Sequence, residues 1–279
     1  MAITNFIPTI WSENLYQALD KQYIAIAHCN RDFEGDIKNQ GSKVKICGVG
    51  TINVSDYSKN TDMSQPQTLN DTVKELTIDQ AKCFNFQIDD IDKTQATPKL
   101  MEAAMKNAAS ALANEADRYI YNICMNNTQN MLSDSIDKND AAFLDLIVKA
   151  RQTLYENNVS DQQEVVLEVP PAIASVILRA KIDLATDNTA AMENGYLGSF
   201  AGCKIFVSNN IPVEDETVSN VFTCFMRTKR AIAFAEQLSE IVAYRPERRF
   251  ADAVKGLHLY GATTVYPQEL VRIDVTVAL

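Results

Sequence analysis

Three glycines within eight residues raise the question of a phosphate-binding loop. Gly195, Gly198 and Gly202 are spaced G-x-x-G-x-x-x-G and precede the apolar run 204–207. A phosphate-binding loop follows a strand and opens a helix, so that backbone N–H groups at the helix N-terminus face the anion. Here no Lys-Ser/Thr pair follows, and the glycines come before a strand. The stretch therefore predicts a tight turn, which glycine permits because it lacks a Cβ atom.

Few side chains in this sequence are suited to nucleophilic or metal-dependent chemistry. The only histidines are His28 and His258, and His258 lies in the strand-like run 256–261, where a packed ring is the common role. The carboxylates form no paired motif, although chemistry by glutamate alone stays open. The sequence therefore predicts no catalytic residue, no metal-ligand set and no cofactor.

The cysteines are expected to be small core residues of a protein in a reducing compartment. No two are spaced C-x-x-C, and several lie within apolar, strand-like runs such as 222–225. A zinc site or a set of disulfides is the alternative interpretation. The six positions are Cys29, Cys47, Cys83, Cys124, Cys203 and Cys224.

Length and charge limit the classes of function. The chain has 279 residues, of which 46% are hydrophobic and 22% charged, as is typical of a folded soluble protein. The net charge of −10, without a Lys/Arg cluster, argues against sequence-specific DNA binding, which needs concentrated positive charge. The start of the chain lacks early positive charge, and no apolar run is long enough to cross a bilayer. We therefore expect neither a signal peptide nor a membrane span.

Two strand-like arms predict a long β-hairpin. The first arm is 42–54 and the second is 73–89, with the polar, turn-rich segment 55–72 between them. Apolar residues alternate along the second arm and share one face. Because a two-stranded hairpin is marginally stable alone in water, either its own domain or another copy must cover it. The face consists of Leu76, Ile78, Phe84, Phe86 and Ile88.

A long helix is predicted after the hairpin. Thr97 is its expected N-cap and Pro98 its first residue, and the pattern runs to Cys124, on the order of 40 Å. Its apolar stripe comprises Met101, Met105, Ala108, Leu112, Ala116, Tyr119 and Ile123. The opposite face is expected to be solvated or to face a partner, and includes Lys106, Asn107, Asn114 and Asp117.

The rest of the chain predicts two shorter helices followed mainly by strands, an α+β arrangement. After a polar break at 131–139, helix 140–157 is followed by strand 164–169 and by helix 172–180, which Pro170-Pro171 opens. The stripe of the first of these helices is Phe143, Leu144, Ile147, Val148, Leu154 and Tyr155. The last strand has one apolar face, formed by Val271, Ile273, Val275 and Val277.

Four stretches resemble, in the same order, the major capsid proteins of tailed bacteriophages. They are 5–19, 84–96, 195–212 and 248–273, so the similarity spans nearly the whole chain. No single stretch carries chemistry, but the order, with a long hairpin before a long helix, is specific. The resemblance implies the Hong Kong-97-type shell fold and no enzymatic activity. The glycine turn would then be architectural.

The resemblance also implies a division of the chain into parts. An N-terminal arm precedes an extended loop, a peripheral domain is built on the long spine helix, and an axial domain is inserted before the closing strands. The parts are the arm 1–36, the extended loop 37–88, the peripheral domain with the spine helix 89–134, the axial domain 135–244 and the closing peripheral strands 245–279.

Contacts between subunits take the place of an active site in this interpretation. Candidates come from the arm, from the loop tip and from the charged run before the closing strands. The charged run is equally consistent with a strand edge that forms only local ion pairs. The candidates are Phe6, Trp11, Tyr57, Lys59, Arg245, Glu247, Arg248 and Arg249.

The implied function is self-assembly of hexamers and pentamers into an icosahedral phage head around double-stranded DNA, in the cytoplasm of a bacterial host. The acidic chain suggests only non-specific contact with DNA. A portal and head-completion proteins are implied partners, and a separate scaffolding protein is expected because the arm motif begins near Asn5. Two alternatives are an encapsulin-like shell around protein cargo and a soluble enzyme of unknown type.

Overall fold

The structure is a computed structural model that describes residues 23–33, 43–49, 71–89, 100–136, 142–159, 163–179, 196–212, 221–248 and 250–277, with the single positions 54, 56, 59 and 62. Its α-helices are α1 (Leu100–Asn127), α2 (Ala142–Glu156) and α3 (Pro171–Arg179). Its strands are β1 (Lys43–Val49), β2 (Asp71–Thr77), β3 (Gln80–Asp89), β4 (Asn130–Ile136), β5 (Val165–Val169), β6 (Tyr196–Phe200), β7 (Cys203–Val207), β8 (Val221–Thr228), β9 (Ile232–Tyr244), β10 (Ala251–Thr264) and β11 (Leu270–Val277).

The strands of the described residues form three sheets. β1 and β2 form an antiparallel hairpin, and β3, β10 and β9 form an antiparallel three-stranded sheet. The third sheet has six strands in the order β4-β11-β8-β5-β7-β6, with β4 parallel to β11 and β5 parallel to β7. The sheets are largely antiparallel and the α-helices all lie between residues 100 and 179 of the described chain, which confirms the predicted α+β class.

The predicted hairpin is present but shorter than expected. β1 pairs with β2 over its whole length, in the register Lys43↔Thr77, which confirms the two arms. The expectation that the second arm continues to residue 89 is wrong, because β3 pairs with β10, in the register Tyr260↔Gln80. The apolar alternation is nevertheless confirmed, since every second side chain of β3 is partly buried.

The chain changes partner after Thr77 because it crosses the end of β10 at close range. A Cβ atom added to Gly261 of β10 would lie 2.1 Å from the carbonyl oxygen of Thr77, so only glycine allows this crossing. Nearby, Lys74 Nζ donates a hydrogen bond of 2.6 Å to the carbonyl oxygen of Val265. These contacts fix the base of the hairpin on β10.

Apolar side chains pack the base of the hairpin on its own chain. Leu76 and Ile78 are buried against Ala235 and Leu259, which belong to β9 and β10. Nearer the tip, Val73 is exposed. The alternative in which the hairpin packs on its own domain therefore holds for the base.

Helix α1 is buried between two sheets. The ring of Tyr121 stacks on Phe225 of the six-stranded sheet at 5.9 Å, and the ring of Tyr119 meets Tyr260 of the three-stranded sheet edge-on at 5.4 Å. Residues two apart point about 200° apart on a helix, so α1 buries far more than one stripe. The expectation that Asp117 lies on a solvated face is wrong for this reason, since it is 1% exposed.

The apolar stripe predicted for α1 is confirmed in part. Lys106, Asn107 and Asn114 are exposed, as predicted. The expected N-cap residues 97 and 98 and the side chain of Met101 lie outside the described residues. The buried apolar side chains are Met105, Ala109, Leu112, Ala113, Ala116, Ile120, Tyr121 and Cys124, whereas Ala108, Tyr119 and Ile123 are partly buried.

One face of the six-stranded sheet packs against α2 and α3, close to where the sequence predicts them. The stripe predicted for α2 is wrong at Val148 and Tyr155, which are about half exposed. The polar segment interpreted as a break instead contains β4, which lies at the edge of the sheet and exposes Met131. The core side chains of α2 are Phe143, Leu146, Ile147, Ala150 and Leu154.

The glycine-rich stretch is a tight turn, as predicted, and it joins β6 to β7. Ala201 and Gly202 form a two-residue connection with φ of 50° and 76°. Two positive φ values match the right-handed twist of a hairpin. Gly198, with φ of 139°, lies at a register irregularity in β6. Strand β7, and not a helix, follows the turn directly, so the turn has no phosphate-binding geometry.

Replacing Gly202 with valine should lower the free energy of unfolding by about 1–2 kcal/mol. The cause is backbone strain alone, because a Cβ atom at this position meets no atom within 4 Å. Urea unfolding of the unassembled subunit measures the effect, and Ala201→Gly, which relieves a positive φ, is the matched control. Equal stabilities of Gly202→Val and wild type would contradict the turn assignment.

Candidate functional site: assembly surfaces and the segment that anchors them

The sequence-predicted contact residues fall into two groups. Phe6, Trp11, Tyr57 and Arg249 lie outside the described residues. Lys59 is exposed in a turn between the two arms of the hairpin. Its contact with another copy stays a prediction.

The charged run lies in the turn between β9 and β10. Arg245, Glu247 and Arg248 are exposed, and Arg245 Nε lies 3.4 Å from Asp252 Oδ1. The local ion-pair interpretation is thereby confirmed for Arg245, and exposed pairs of this kind contribute at most about 1 kcal/mol. The turn also exposes 84% of Phe250, which sequence reasoning missed. An exposed aromatic side chain beside exposed charges is suited to contact with another copy.

Residues 23–33, named here the joint segment, connect the region of the arm to that of the hairpin. Asp117 of α1 accepts three hydrogen bonds from the segment: Oδ2 from the backbone N–H of Ile24 and Oδ1 from those of Ala25 and Ile26, at 3.1 to 3.3 Å. The carboxylate thus satisfies the backbone N–H groups that lead into the 3-10 turn at Ile26–His28. Sequence spacing could have indicated its burial, since position 117 continues the series 113, 117, 121, 124.

Arg227 and Glu168 form a fully buried ion pair beneath the joint segment. Arg227 Nε and Nη2 donate to the two carboxylate oxygens of Glu168, at 3.0 and 2.8 Å. The other N–H groups of Arg227 donate to the carbonyl oxygens of Ala25, at 2.7 Å, and of His28, at 2.6 Å. Burial alone would raise the pKa of Glu168, but the charge and hydrogen bonds of Arg227, together with those of His28, hold that pKa below its usual value. The sequence carried no signal for this pair.

Glu236 of β9 forms the centre of a second buried cluster. Its carboxylate accepts hydrogen bonds of 2.6 Å from both Tyr23 Oη and Arg31 Nη2, and His258 Nε2 lies 2.9 Å away. Burial would raise the pKa of Glu236, but the hydrogen bonds and charges of these partners hold it below its usual value. His258 is therefore engaged as a packed ring, as the sequence predicted.

Asp117→Asn should lower the free energy of unfolding by about 1 kcal/mol, because one carboxylate acceptor becomes an N–H₂ donor facing a backbone N–H. Burial raises the pKa of Asp117 to about 7, against the opposing effect of its backbone hydrogen bonds. The folded protein therefore holds a proton that the unfolded chain releases near its ordinary pKa of 3.8. Stability from this group falls as pH rises through that interval.

The advantage of wild type over Asp117→Asn should thus be largest near pH 4 and shrink towards pH 7. Urea unfolding across this range measures the difference, and the exposed substitution Glu115→Gln, on the same helix, should stay within about 0.5 kcal/mol throughout. A wild-type advantage that grows with pH would contradict the assignment.

The described residues contain no cluster of three or more His, Cys, Asp or Glu side chains arranged to hold a metal ion. Burial raises the pKa of the thiols of Cys29 and Cys203 to about 11, so both are protonated at neutral pH. Cys124 and Cys224 are also buried, which confirms the core interpretation for four cysteines, while Cys83 is exposed. No helix in the described part of the chain is long and apolar enough to span a membrane.

Comparison with known proteins identifies the family. A family model described as phage capsid protein matches residues 34–277, which is most of the chain. The chain belongs to the phage capsid protein family. The match contains three of the four similar sequence stretches, and it confirms the resemblance and with it the function of a major capsid protein of a tailed phage. The family is one of structural proteins of the virion. A search of curated proteins gives no match.

The capsid protein has the same fold as several solved structures. A structure from Mycobacterium phage Che8 matches with a TM-score of 0.70 and 28% identity, covering 90% of this chain and 91% of that one. The capsid of Ralstonia phage GP4 matches with a TM-score of 0.68 and 9% identity, covering 94% and 91%. A virus-like particle from Pyrococcus furiosus matches with a TM-score of 0.59 and 13% identity, covering 96% of this chain and 99% of that one. These likenesses confirm the Hong Kong-97-type fold.

Proposed function

We propose that copies of this capsid protein assemble as hexamers and pentamers into a closed icosahedral shell around double-stranded DNA. The family match over residues 34–277 is the observation that carries the proposal. Two surfaces support it, since β2 exposes Val73 towards the hairpin tip and the β9–β10 turn exposes Phe250. Many modest contacts, repeated by every copy, add up to a stable closed particle.

Strand pairing favours a revised division of the chain. The extended loop is the hairpin of β1 and β2, and the peripheral domain comprises α1 with the three-stranded sheet, which includes β9. The axial domain comprises the six-stranded sheet with α2 and α3. The revision moves β4 and β11 to the axial domain, because both pair within the six-stranded sheet.

The partners proposed for assembly are those that a tailed phage head requires. They are a separate scaffolding protein, a portal and head-completion proteins, with assembly in the cytoplasm of the bacterial host. The net charge of −10 favours weak, non-specific contact with packaged DNA, because tight phosphate binding needs many Lys and Arg residues.

Sedimentation and light scattering of the purified protein test the proposal. We expect closed particles or oligomers of capsomer size, formed with or without a scaffolding protein. A compact monomer under all conditions of salt, pH and protein concentration, with scaffold present, would contradict it.

An encapsulin-like compartment is the second candidate, and the match to the Pyrococcus furiosus particle is the observation that favours it. The contents of particles made during infection separate the two. Nuclease-protected DNA of genome length supports the phage head, whereas particles filled with one protein species support the compartment.

A further inference from the structure

The joint segment of the capsid protein lies where the six-stranded sheet meets the three-stranded sheet. Arg227 and Glu168 approach it from β8 and β5 of the six-stranded sheet. Glu236 and His258 approach it from β9 and β10 of the three-stranded sheet. Asp117 reaches it from α1, which lies between the sheets. Ionisable side chains from both sheets and from α1 therefore converge on one short stretch of chain.

The contacts from the six-stranded sheet allow the joint segment only one position relative to that sheet. A guanidinium group has its donors in a rigid planar fork, and Arg227 uses them on Glu168 and on two carbonyl oxygens of the segment. If the segment shifted relative to the sheet, these buried groups would lose partners without access to water. The pair thus contributes specificity of arrangement more than net stability.

The three-stranded sheet holds the same segment independently. Asn30 exchanges backbone hydrogen bonds with the start of β9, donating to Ile232 O at 2.8 Å and accepting from Phe234 N at 2.9 Å. Tyr23 and Arg31 donate to Glu236 from either end of the segment. Each sheet is therefore fixed to the segment by its own contacts, and through the segment to the other sheet.

We propose that the joint segment fixes the angle between the six-stranded and the three-stranded sheet, and thereby the curvature of the shell. This inference rests on the proposed function. A shell of uniform diameter closes only if each copy has the same angle between its two sheets. Because protein interiors are close-packed, a small shift of the joint segment is transmitted to the sheets instead of being absorbed. A subunit with a loosened joint should still fold, because the core under α2 and α3 and the core around α1, which Phe225 and Phe234 share, both remain. It should, however, build shells of varying diameter.

Two substitutions weaken the joint from opposite sides. Arg227→Lys keeps the charge opposite Glu168 but loses the fork that reaches Ala25 and His28. Tyr23→Phe removes only the hydrogen bond to Glu236 and keeps the packed ring. Tyr119→Phe is the matched control, since it removes a tyrosine hydrogen bond of similar length, to Asp79, away from the segment.

Hydrogen exchange of the unassembled subunit and microscopy of the shells are measured together for each variant. We expect amide exchange at Ala25 and Asn30 to rise about fivefold or more in Tyr23→Phe and Arg227→Lys. We also expect a broader distribution of shell diameters for both variants, with Tyr119→Phe matching wild type in both measurements.

Shells of wild-type diameter and uniformity, formed by a variant with faster exchange in the segment, would overturn the proposal. Unchanged exchange in Tyr23→Phe would also overturn it, because the segment would then not be held by these contacts. If wild type forms no shell, the proposed function itself has failed, and this outcome is distinct from uniform shells in the variants.

Discussion

Replacing Arg227 with methionine is expected to lower the free energy of unfolding of the subunit by about 3–5 kcal/mol. Methionine fills much of the same volume, so the loss comes from charge and hydrogen bonding more than from packing. Glu168, which is fully buried, would lose its bidentate partner, and the carbonyl oxygens of Ala25 and His28 would lose their donors. Uncompensated buried groups are among the largest single-site effects in proteins.

Urea unfolding of unassembled subunits measures this loss. Lys204→Met is the matched control, because Lys204 pairs with Glu164 at 2.6 Å near the same strands but both side chains are half exposed. The control should lose no more than about 1 kcal/mol. The double variant Glu168→Leu/Arg227→Met should recover part of the loss, since it removes the unpaired charge. Equal losses for Arg227→Met and Lys204→Met would contradict the account of a buried joint.

Shortening the hairpin, unlike Arg227→Met, should have little effect on the folding of the subunit and a large effect on its assembly. Residues 50–70 are replaced by Asn-Gly, which joins Val49 to Asp71, the last paired residues of β1 and β2, in a two-residue turn. The base stays packed through Leu76 and Ile78. Losing about 1–2 kcal/mol per contact weakens each association step roughly 5–30-fold, and the effect compounds over the shell.

Circular dichroism melting of the subunit and sedimentation of the particles are compared for this variant. A control in which residues 50–70 become a Gly/Ser segment of equal length separates the reach of the tip from its side chains. Normal yields of closed shells from the shortened protein would refute the assignment as an extended loop. An unfolded subunit would place the tip in its own core.

Sequence patterns predicted the elements of this fold better than their pairing. Leu76 and Ile78 lie on the same face of the second arm as Phe84, with only Gln80 and Lys82 between them, so little in the local sequence reveals that the arm changes its partner. The close approach that accompanies this change of partner involves Gly261, about 180 residues further along the chain, where β10 passes the backbone of Thr77. Likewise, the polar sequence of β4 suits an edge strand as well as a loop, and only its pairing with β11 decides.

The buried charges were the least predictable part of the candidate site. Asp117 has a polar side chain beside an apolar stripe, and such residues are usually solvated. Its burial follows from α1 lying between two sheets, which makes the buried face of the helix wider than the predicted apolar stripe. Arg227 and Glu168 lie in apolar strands 59 residues apart, and only the fold brings them together. The turn at Gly202, in contrast, is local and was predicted from its own residues.

Cryo-electron microscopy of particles formed by this chain, expressed with and without a candidate scaffolding protein, tests whether the chain builds a capsid. We expect closed icosahedral shells of pentamers and hexamers, in which α1, the six-stranded sheet and the three-stranded sheet fit every subunit and the β1–β2 hairpin lies on a neighbouring copy. Discrete small oligomers with no closed shell, or hairpins folded back on their own subunits throughout, would contradict it.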